Sequence, residues 1–171
     1  SASPHSLHVV ADKRGGRRTL FLHGLTASGA SWGRVLPHCQ GFGPVVPDLL
    51  GFGDSPKPDA SYDLDCHLDA LEAVVERYQP TAVVGHSMGA VVALGAMKRW
   101  PSISAGVLVS PAVFESRKQA RVAMRGAPIL HQATLRSTPI SRAMCETVCM
   151  LRPAFLMFSI SFSTLSCLVS R

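Results

Sequence analysis

Charged residues are scarce in this chain. Asp, Glu, Lys and Arg make up 16% of its 171 residues, whereas 47% are hydrophobic and the mean hydropathy is +0.22. This composition excludes an intrinsically disordered chain, since such chains combine low hydrophobicity with high charge. The length suffices for one domain with a substantial core and is short for two. We therefore expect a single compact domain.

The cysteines lack the spacing of a metal site or of a disulfide framework, because no C-x-x-C pair occurs and their number is odd. The five are scattered along the chain (Cys39, Cys66, Cys145, Cys149 and Cys167). This pattern is typical of a reducing compartment. The start of the chain also lacks the basic and then apolar pattern of a signal peptide. We therefore expect a cytoplasmic protein without a bound metal.

A long apolar run is missing as well. No charged residue occurs between Arg152 and Arg171, but serines alternate with Phe158, Ile160 and Phe162 in this tail. The stretch falls short of the roughly 20 predominantly apolar residues that a membrane helix needs, so we do not expect membrane insertion. The alternation predicts an edge strand, or foreign sequence from a shifted frame or a retained intron.

Positive charge is concentrated in one segment. The chain has 17 Lys and Arg against 11 Asp and Glu, and residues 112–152 contain seven of the basic residues but only two acidic ones, Glu115 and Glu146. Solvated helix faces explain such an excess most simply. An acidic substrate or an anionic surface is the alternative, and we do not expect nucleic acid as a partner.

Short apolar strands alternate with helical segments over the first 111 residues. Strands are predicted at residues 7–11, 18–22, 45–46, 81–84 and 106–109, and helices at 63–79 and 90–100. The strands do not alternate apolar with polar residues, which is typical of strands buried on both faces. The predicted fold class is therefore α/β, with a mostly parallel sheet and helices on both faces.

The strongest chemical signal is a strand that turns directly into a helix at Ser87. Glycines lie two positions on either side of this serine, in Gly85-His86-Ser87-Met88-Gly89. Such a turn strains the central residue, tolerates only small neighbours and holds the serine Oγ clear of the backbone, as a nucleophile requires. The backbone N–H groups of Met88 and Leu25 are the donors expected to stabilise an oxyanion.

Three motifs in this order resemble the N-terminal half of α/β-hydrolase fold enzymes. They are LFLHG, DLLGFGDS and GHSMGA, and the resemblance covers about residues 7–111. It implies that several residues shape the site without reacting (His23, Gly24, Asp48, Ser55, Gly85, His86 and Gly89).

The residue type at the nucleophile position narrows the implied chemistry. Related dehalogenases and epoxide hydrolases have Asp there, whereas this chain has Ser87. The resemblance therefore implies hydrolysis of an ester, a thioester or a carbon–carbon bond in a small apolar acyl substrate, through an acyl-enzyme, with no metal or organic cofactor. Perhydrolysis without a cofactor is also consistent with a serine nucleophile.

The acid and the histidine of the family's triad are missing from their usual places, which follow the nucleophile in the order acid and then His. No Asp occurs beyond Asp69, and the acids after Ser87 are Glu115 and Glu146. Glu115, shortly after the last predicted strand, and His131 are the candidate acid and base. We expect a truncated serine hydrolase; the alternatives are a non-catalytic binding or regulatory module and an inactive short isoform.

The resemblance also predicts three segments. Residues 1–111 would form an incomplete hydrolase core, residues 112–153 a cap-like helical segment, and residues 154–171 an apolar tail. The missing strands would normally cover the sheet edge beyond residues 106–109. A bare edge exposes unpaired backbone groups, so it predicts self-association.

Overall fold

The computed structural model describes residues 6–112, so the predicted cap and tail lie outside the described residues. Five strands and two α-helices are present in this part: β1 (Val9–Asp12), β2 (Arg17–Leu22), β3 (Phe42–Pro47), α1 (Leu64–Tyr78), β4 (Ala82–His86), α2 (Met88–Arg99) and β5 (Ala105–Val109). Two short 3-10 helices, Gly29–Arg34 and Leu36–His38, lie between β2 and β3. The predicted strands and helices are confirmed, and α2 begins two residues earlier than predicted.

The sheet is mixed but mostly parallel. Its strand order is β1-β3-β2-β4-β5, and only β1 runs antiparallel to its neighbour. β1 pairs with β3 and not with β2, although β2 follows it after a short turn. The carboxyl ends of β2, β4 and β5 therefore meet at one edge of the sheet, which is where ligands bind in open α/β sheets.

Residues next to helix α1 define both of its ends. The side chain of Asp63 accepts a hydrogen bond from the backbone N–H of Cys66 at 2.9 Å, which caps the first turn. Gln79 adopts a left-handed conformation at the other end. The acidic residues of α1 are exposed to solvent (Asp65, Asp69, Glu72 and Glu76).

The core has two parts because side chains alternate across the strands. Leu20, Leu22 and Val83 are fully buried on the face covered by α1 and α2. Phe21 lies on the opposite face, where its ring meets the ring of Trp32 edge-on at 5.4 Å between centroids. The 3-10 segment therefore covers the second face within the described part of the chain.

Strand β5 lies at the edge of the sheet formed by residues 6–112. Val107 is 53% exposed, and Gly106 is exposed beside it. Self-association through this edge stays a prediction. Within the same residues, no helix has the length and apolar character needed to cross a bilayer.

Candidate active site

Ser87 occupies the turn between β4 and α2 in a strained backbone conformation. Its φ is 54° and its ψ is −115°, outside the regions that a residue with a Cβ ordinarily adopts. A Cβ on Gly85 would lie 2.6 Å from Cα of Ala90, and one on Gly89 would lie 2.5 Å from the carbonyl oxygen of His23. Both contacts are too short for any side chain, so the two glycines permit the turn.

The end of β2 lies directly against Ser87. A Cβ on Gly24 would lie 3.2 Å from Cβ of Ser87 and 3.1 Å from Nδ1 of His86. Leu25 follows Gly24 in the chain, while Met88 is the first residue of α2. The N–H groups in the first turn of a helix have no partner within that helix. Met88 thus follows Ser87 directly, and Leu25 follows the residue that contacts it; their role as oxyanion donors stays a prediction.

His23 connects the two loops beside Ser87. Its ring is fully buried; Nδ1 lies 2.8 Å from the carbonyl oxygen of Gly24, and Nε2 accepts a hydrogen bond from the N–H of Leu49 at 2.9 Å. A carbonyl only accepts, so Nδ1 carries the proton and donates. Burial lowers the pKa of His23 more than the Gly24 carbonyl and Asp48 raise it. The imidazole is therefore neutral, with both nitrogens engaged by the backbone.

Asp48 fastens the loop that follows β3. Its Oδ1 accepts a hydrogen bond from the N–H of Gly29 at 2.7 Å, and its Oδ2 accepts one from the N–H of Asp54 at 2.9 Å. Its carbonyl oxygen accepts a hydrogen bond from Oγ of Ser55 at 2.6 Å. Burial raises the pKa of Asp48. The hydrogen bonds from the Asp54 and Gly29 amides and from His8 lower it by a larger amount, so the net shift is downward. This arrangement favours a structural role for Asp48.

A match to a known family agrees with this geometry. The family model described as the alpha/beta hydrolase family matches residues 19–162. The chain belongs to the alpha/beta hydrolase family. Its similarity to the probable lysophospholipase BODYGUARD 4 of Arabidopsis thaliana is 33% identity over 169 residues, or 84% of this chain and 40% of that protein.

Other members of the alpha/beta hydrolase family match shorter regions. Lipase LipV of Mycobacterium tuberculosis is 39% identical over 102 residues, which cover 58% of this chain and 39% of the lipase. The crystal structure of an epoxide hydrolase from Vigna radiata has a TM-score of 0.55 and 27% identity, over 68% of this chain and 41% of the epoxide hydrolase. The chain spans about two fifths of the length of these three relatives.

His86, which precedes Ser87 in the turn of this alpha/beta hydrolase family member, is half-buried. Burial lowers its pKa. Its Nδ1 faces Gly24 across the narrow space between β4 and the end of β2. The contact is consistent with a residue that packs the elbow, which is the role expected from the sequence.

Sequence analysis missed two histidines near the site. His8 lies next to β1, and its Nδ1 is 3.1 Å from Oδ2 of Asp48. His8, Asp48 and Asp54 could offer three ligand atoms to a metal, all within 4.8 Å of one another. Because Asp48 already accepts hydrogen bonds at both oxygens, this cluster is better explained as a clamp between β1 and the loop.

His67 is the second histidine that was missed. It lies on α1 with 3% of its surface exposed, and neither ring nitrogen has a hydrogen-bond partner among residues 6–112. Its ring centroid is 6.2 Å from that of Tyr62. Burial lowers the pKa of His67 to about 4; Asp63 opposes this shift and His23 adds to it. The signal was its position three residues after Leu64, on the apolar side of the helix.

The predicted acid and base cannot be compared with this geometry, because Glu115 and His131 lie outside the described residues. Within residues 6–112, the structure brings together Ser87, His86, Gly85, Gly89 and the end of β2. These residues form the described part of the candidate active site.

Proposed function

We propose that this chain carries the nucleophile, Ser87, of a serine hydrolase. This hydrolase would cleave carboxylic esters, or related acyl and carbon–carbon bonds, through an acyl-enzyme at Ser87. The observation that carries the proposal is the strained Ser87, with φ at 54°, at the head of α2 and against Gly24. Strained backbone conformations cost about 1–3 kcal/mol each and are concentrated at functional sites. The carboxyl edge of a parallel sheet is also where ligands bind. The proposed substrate is a small apolar acyl compound.

The first step forms a bond between Oγ of Ser87 and the carbonyl carbon of the substrate. The carbonyl electron pair moves onto oxygen, where the N–H groups of Leu25 and Met88 stabilise the charge, and the hydroxyl proton passes to a base. The carbonyl then re-forms as the bond between its carbon and the leaving oxygen breaks, and that oxygen takes the proton from the base. Water attacks the acyl carbon and gives a proton to the base, and the bond to Oγ breaks as Ser87 recovers that proton and the acid is released. In well-studied hydrolases, loss of one oxyanion donor costs roughly 10²- to 10³-fold in kcat.

His23 is a poor candidate for the base, because its Nε2 accepts the N–H of Leu49 and its Nδ1 donates to Gly24. We propose His131 as the base and Glu115 as the acid that orients it. Without such a base the serine is a weak nucleophile, although oxyanion donors and binding alone leave a residual acceleration of roughly 10³ to 10⁴ over water.

The names of the relatives support the ester class. BODYGUARD 4 is named as a probable lysophospholipase and LipV as a lipase. The structural relative from Vigna radiata is an epoxide hydrolase. The resemblance described above gives enzymes of that kind an aspartate nucleophile, so Ser87 favours the esterase class over the epoxide class.

The deciding experiment compares p-nitrophenyl acetate and butyrate hydrolysis by the wild-type chain and by Ser87→Ala, with Ser102→Ala as a control. Ser102 is an exposed serine in the turn that follows α2. We expect turnover that Ser87→Ala abolishes and Ser102→Ala leaves unchanged. Equal rates in all three proteins would contradict the proposal for this chain and favour the non-catalytic module or the inactive isoform.

A second experiment tests the proposed base and acid. If Ser87 is active, His131→Ala is expected to lower fluorophosphonate labelling of Ser87 by at least about 10³-fold. Glu115→Gln is expected to have a smaller effect, because the acid acts through the base. Unchanged labelling in both variants would assign the base to another residue.

We also propose the division into a core at 1–111, a cap at 112–153 and a tail at 154–171, and self-association through the β5 edge. Val107, which is 53% exposed, faces solvent at this edge. Size-exclusion chromatography should show an oligomer that Val107→Lys disperses, since charged side chains block edge pairing. A monomer in both proteins would contradict the self-association.

A further inference from the structure

The two predicted oxyanion donors belong to peptide groups whose carbonyl oxygens are also held by hydrogen bonds. The N–H of Leu25 shares its peptide group with the carbonyl of Gly24, and the N–H of Met88 shares its peptide group with the carbonyl of Ser87. No cis peptide bond occurs among the described residues, so each N–H points opposite to its own carbonyl. A bond that fixes the carbonyl therefore aims the N–H.

Different parts of the chain hold these two carbonyls. The Gly24 oxygen receives Nδ1–H of His23 at 2.8 Å and the N–H of Ala27 at 3.3 Å. The Ser87 oxygen receives the N–H of Ala90 at 3.1 Å, from the first turn of α2, and the N–H of Ala112 at 3.3 Å, from the segment after β5.

The exit of β5 therefore holds Ser87 from both sides of its backbone. The carbonyl oxygen of Val109 accepts the N–H of Ser87 at 2.9 Å, and the chain then turns at Ser110, whose φ is 44°. After this turn, the N–H of Ala112 returns to the Ser87 oxygen. Strained conformations persist when the surrounding structure over-determines them, and here two chain segments fix one residue.

Resting on the proposed function, we propose that the N–H of Ala112 is a positioning group that aims the Met88 donor by holding the carbonyl of Ser87. His23, which the resemblance already implies to shape the site, holds the carbonyl of Gly24 in the corresponding way. His23 acts through the Gly24 oxygen on Leu25. Ala112 acts through the Ser87 oxygen on Met88. Neither touches the substrate, and each would affect the chemical step more than the overall fold.

The first test separates the two nitrogens of His23. An Asn side chain can replace Nδ1 as a donor to Gly24, whereas a Gln side chain can replace Nε2 as an acceptor for Leu49. Both variants lose one hydrogen bond, so their Tm values should fall alike. We expect fluorophosphonate to label Ser87 at least about tenfold faster in His23→Asn than in His23→Gln, since misplaced groups cost rate steeply. Equal rates, or the reverse order, would overturn the role of His23.

The second test removes one N–H. Replacing Ala112 with lactic acid exchanges its amide for an ester and keeps the methyl group. The matched control is the same exchange at Ser104, whose N–H donates to the carbonyl oxygen of Thr81 at 3.1 Å, at the opposite end of β4 and β5. Labelling of Ser87 should slow at least about tenfold for the Ala112 ester and stay within about twofold for the Ser104 ester. Equal slowing would mean a general loss of stability and would overturn the proposal.

Amide hydrogen exchange covers the case in which the wild-type chain is not labelled at Ser87. That outcome would count against the proposed function of this chain, but the Ala112 amide should still be protected in both wild type and Ser87→Ala. An Ala112 amide that exchanges at the rate of an unprotected amide would overturn the positioning proposal by itself.

Discussion

The two ends of the parallel sheet differ in which residues adopt positive φ angles. At the amino end, left-handed backbone falls on Gly15, Gly16 and Gly41 and on the helix cap Gln79, where such a conformation costs little. At the carboxyl end it falls on Gly51 and Gly53, in the loop after β3, but also on four residues with side chains: Thr26, Tyr62, Ser87 and Ser110, with φ values of 60°, 52°, 54° and 44°. Backbone strain is thus concentrated at the edge that holds the candidate site.

Polar groups follow the same division. At the amino end, Arg17 donates to the carbonyl oxygen of Thr81 at 3.2 Å and Arg18 pairs with Asp12 at 2.7 Å, all in exposed positions. At the carboxyl end, His23 and Asp48 are almost fully buried and bond mainly to backbone groups. Removing the partner of a buried polar group lowers the free energy of unfolding substantially, whereas removing an exposed ion pair lowers it little. The comparison predicts large effects at one end and small effects at the other.

The largest effect is expected for Gly89→Ala. Its new Cβ would meet the carbonyl oxygens of Leu22 and His23, and neither backbone group can move aside. We expect a loss of about 3 kcal/mol or more in the free energy of unfolding, measured by urea titration. Gly33→Ala is the control, because a Cβ there has no neighbour within 4 Å among the described residues. Equal stability of the two variants would contradict the account of the elbow.

The next effect is the pH dependence that His67 causes. The pKa is about 4 in the folded protein against 6.5 in the unfolded chain, so the unfolded state binds more protons between these values. The contribution of His67 to the free energy of unfolding is therefore fully present above pH 6.5. It falls as the pH drops towards 4, by about 3 kcal/mol in total.

His67→Leu should reduce the slope of this part of the stability curve, measured as urea midpoints from pH 7.5 to 4. His23 and His86, whose pKa values are also lowered, should retain the rest of the slope. If His67→Leu has the wild-type slope, the acid sensitivity belongs to other groups.

A smaller loss is expected for Asp48→Asn. The amide nitrogen would face backbone N–H donors, at the Gly29 or the Asp54 position, so at least one buried donor loses its acceptor. We expect a loss of roughly 2 kcal/mol in the free energy of unfolding. Asp54→Asn leaves these backbone bonds in place and serves as the control. A change below about 0.5 kcal/mol for Asp48→Asn would show that the loop is not held through this side chain.

The smallest effect is expected at the amino end. Asp12→Ala removes the ion pair with Arg18, whose two side chains are 32% and 23% exposed. Thermal unfolding should show a change of less than about 1 kcal/mol, reduced further by added salt. A loss as large as that of Asp48→Asn would contradict the prediction that changes at the amino end have smaller effects than changes at the carboxyl end.

Local signals made much of the fold predictable. Helix α1 has apolar residues at helical spacing and Asp63 at its first turn, and the structure places both as expected. The partner of β1 was not predictable in this way, because β3 lies about thirty residues further along the chain. Pairing at that distance depends on which faces the helices cover, and local patterns carry no such information.

The same limit applies to the site. The elbow was visible because its strain requires Gly85 and Gly89 beside the serine, all within five residues. The contact between Ala112 and Ser87 was not visible, since it joins main-chain atoms that any residue except proline supplies. His67 gave only its helical spacing, which does not distinguish a buried imidazole from an exposed one.

The fold class and the position of the serine follow from the sequence alone, because periodicity and steric demands act between residues close in the chain. The family follows from the resemblance of three ordered motifs. Tertiary structure decided how the serine is held. The neutral state of His23, the fastening of Asp48 and the grip of the β5 exit on Ser87 all depend on backbone groups that meet only when the strands align. Hydrogen bonds to the backbone leave no trace in residue type, so only the folded chain reveals them.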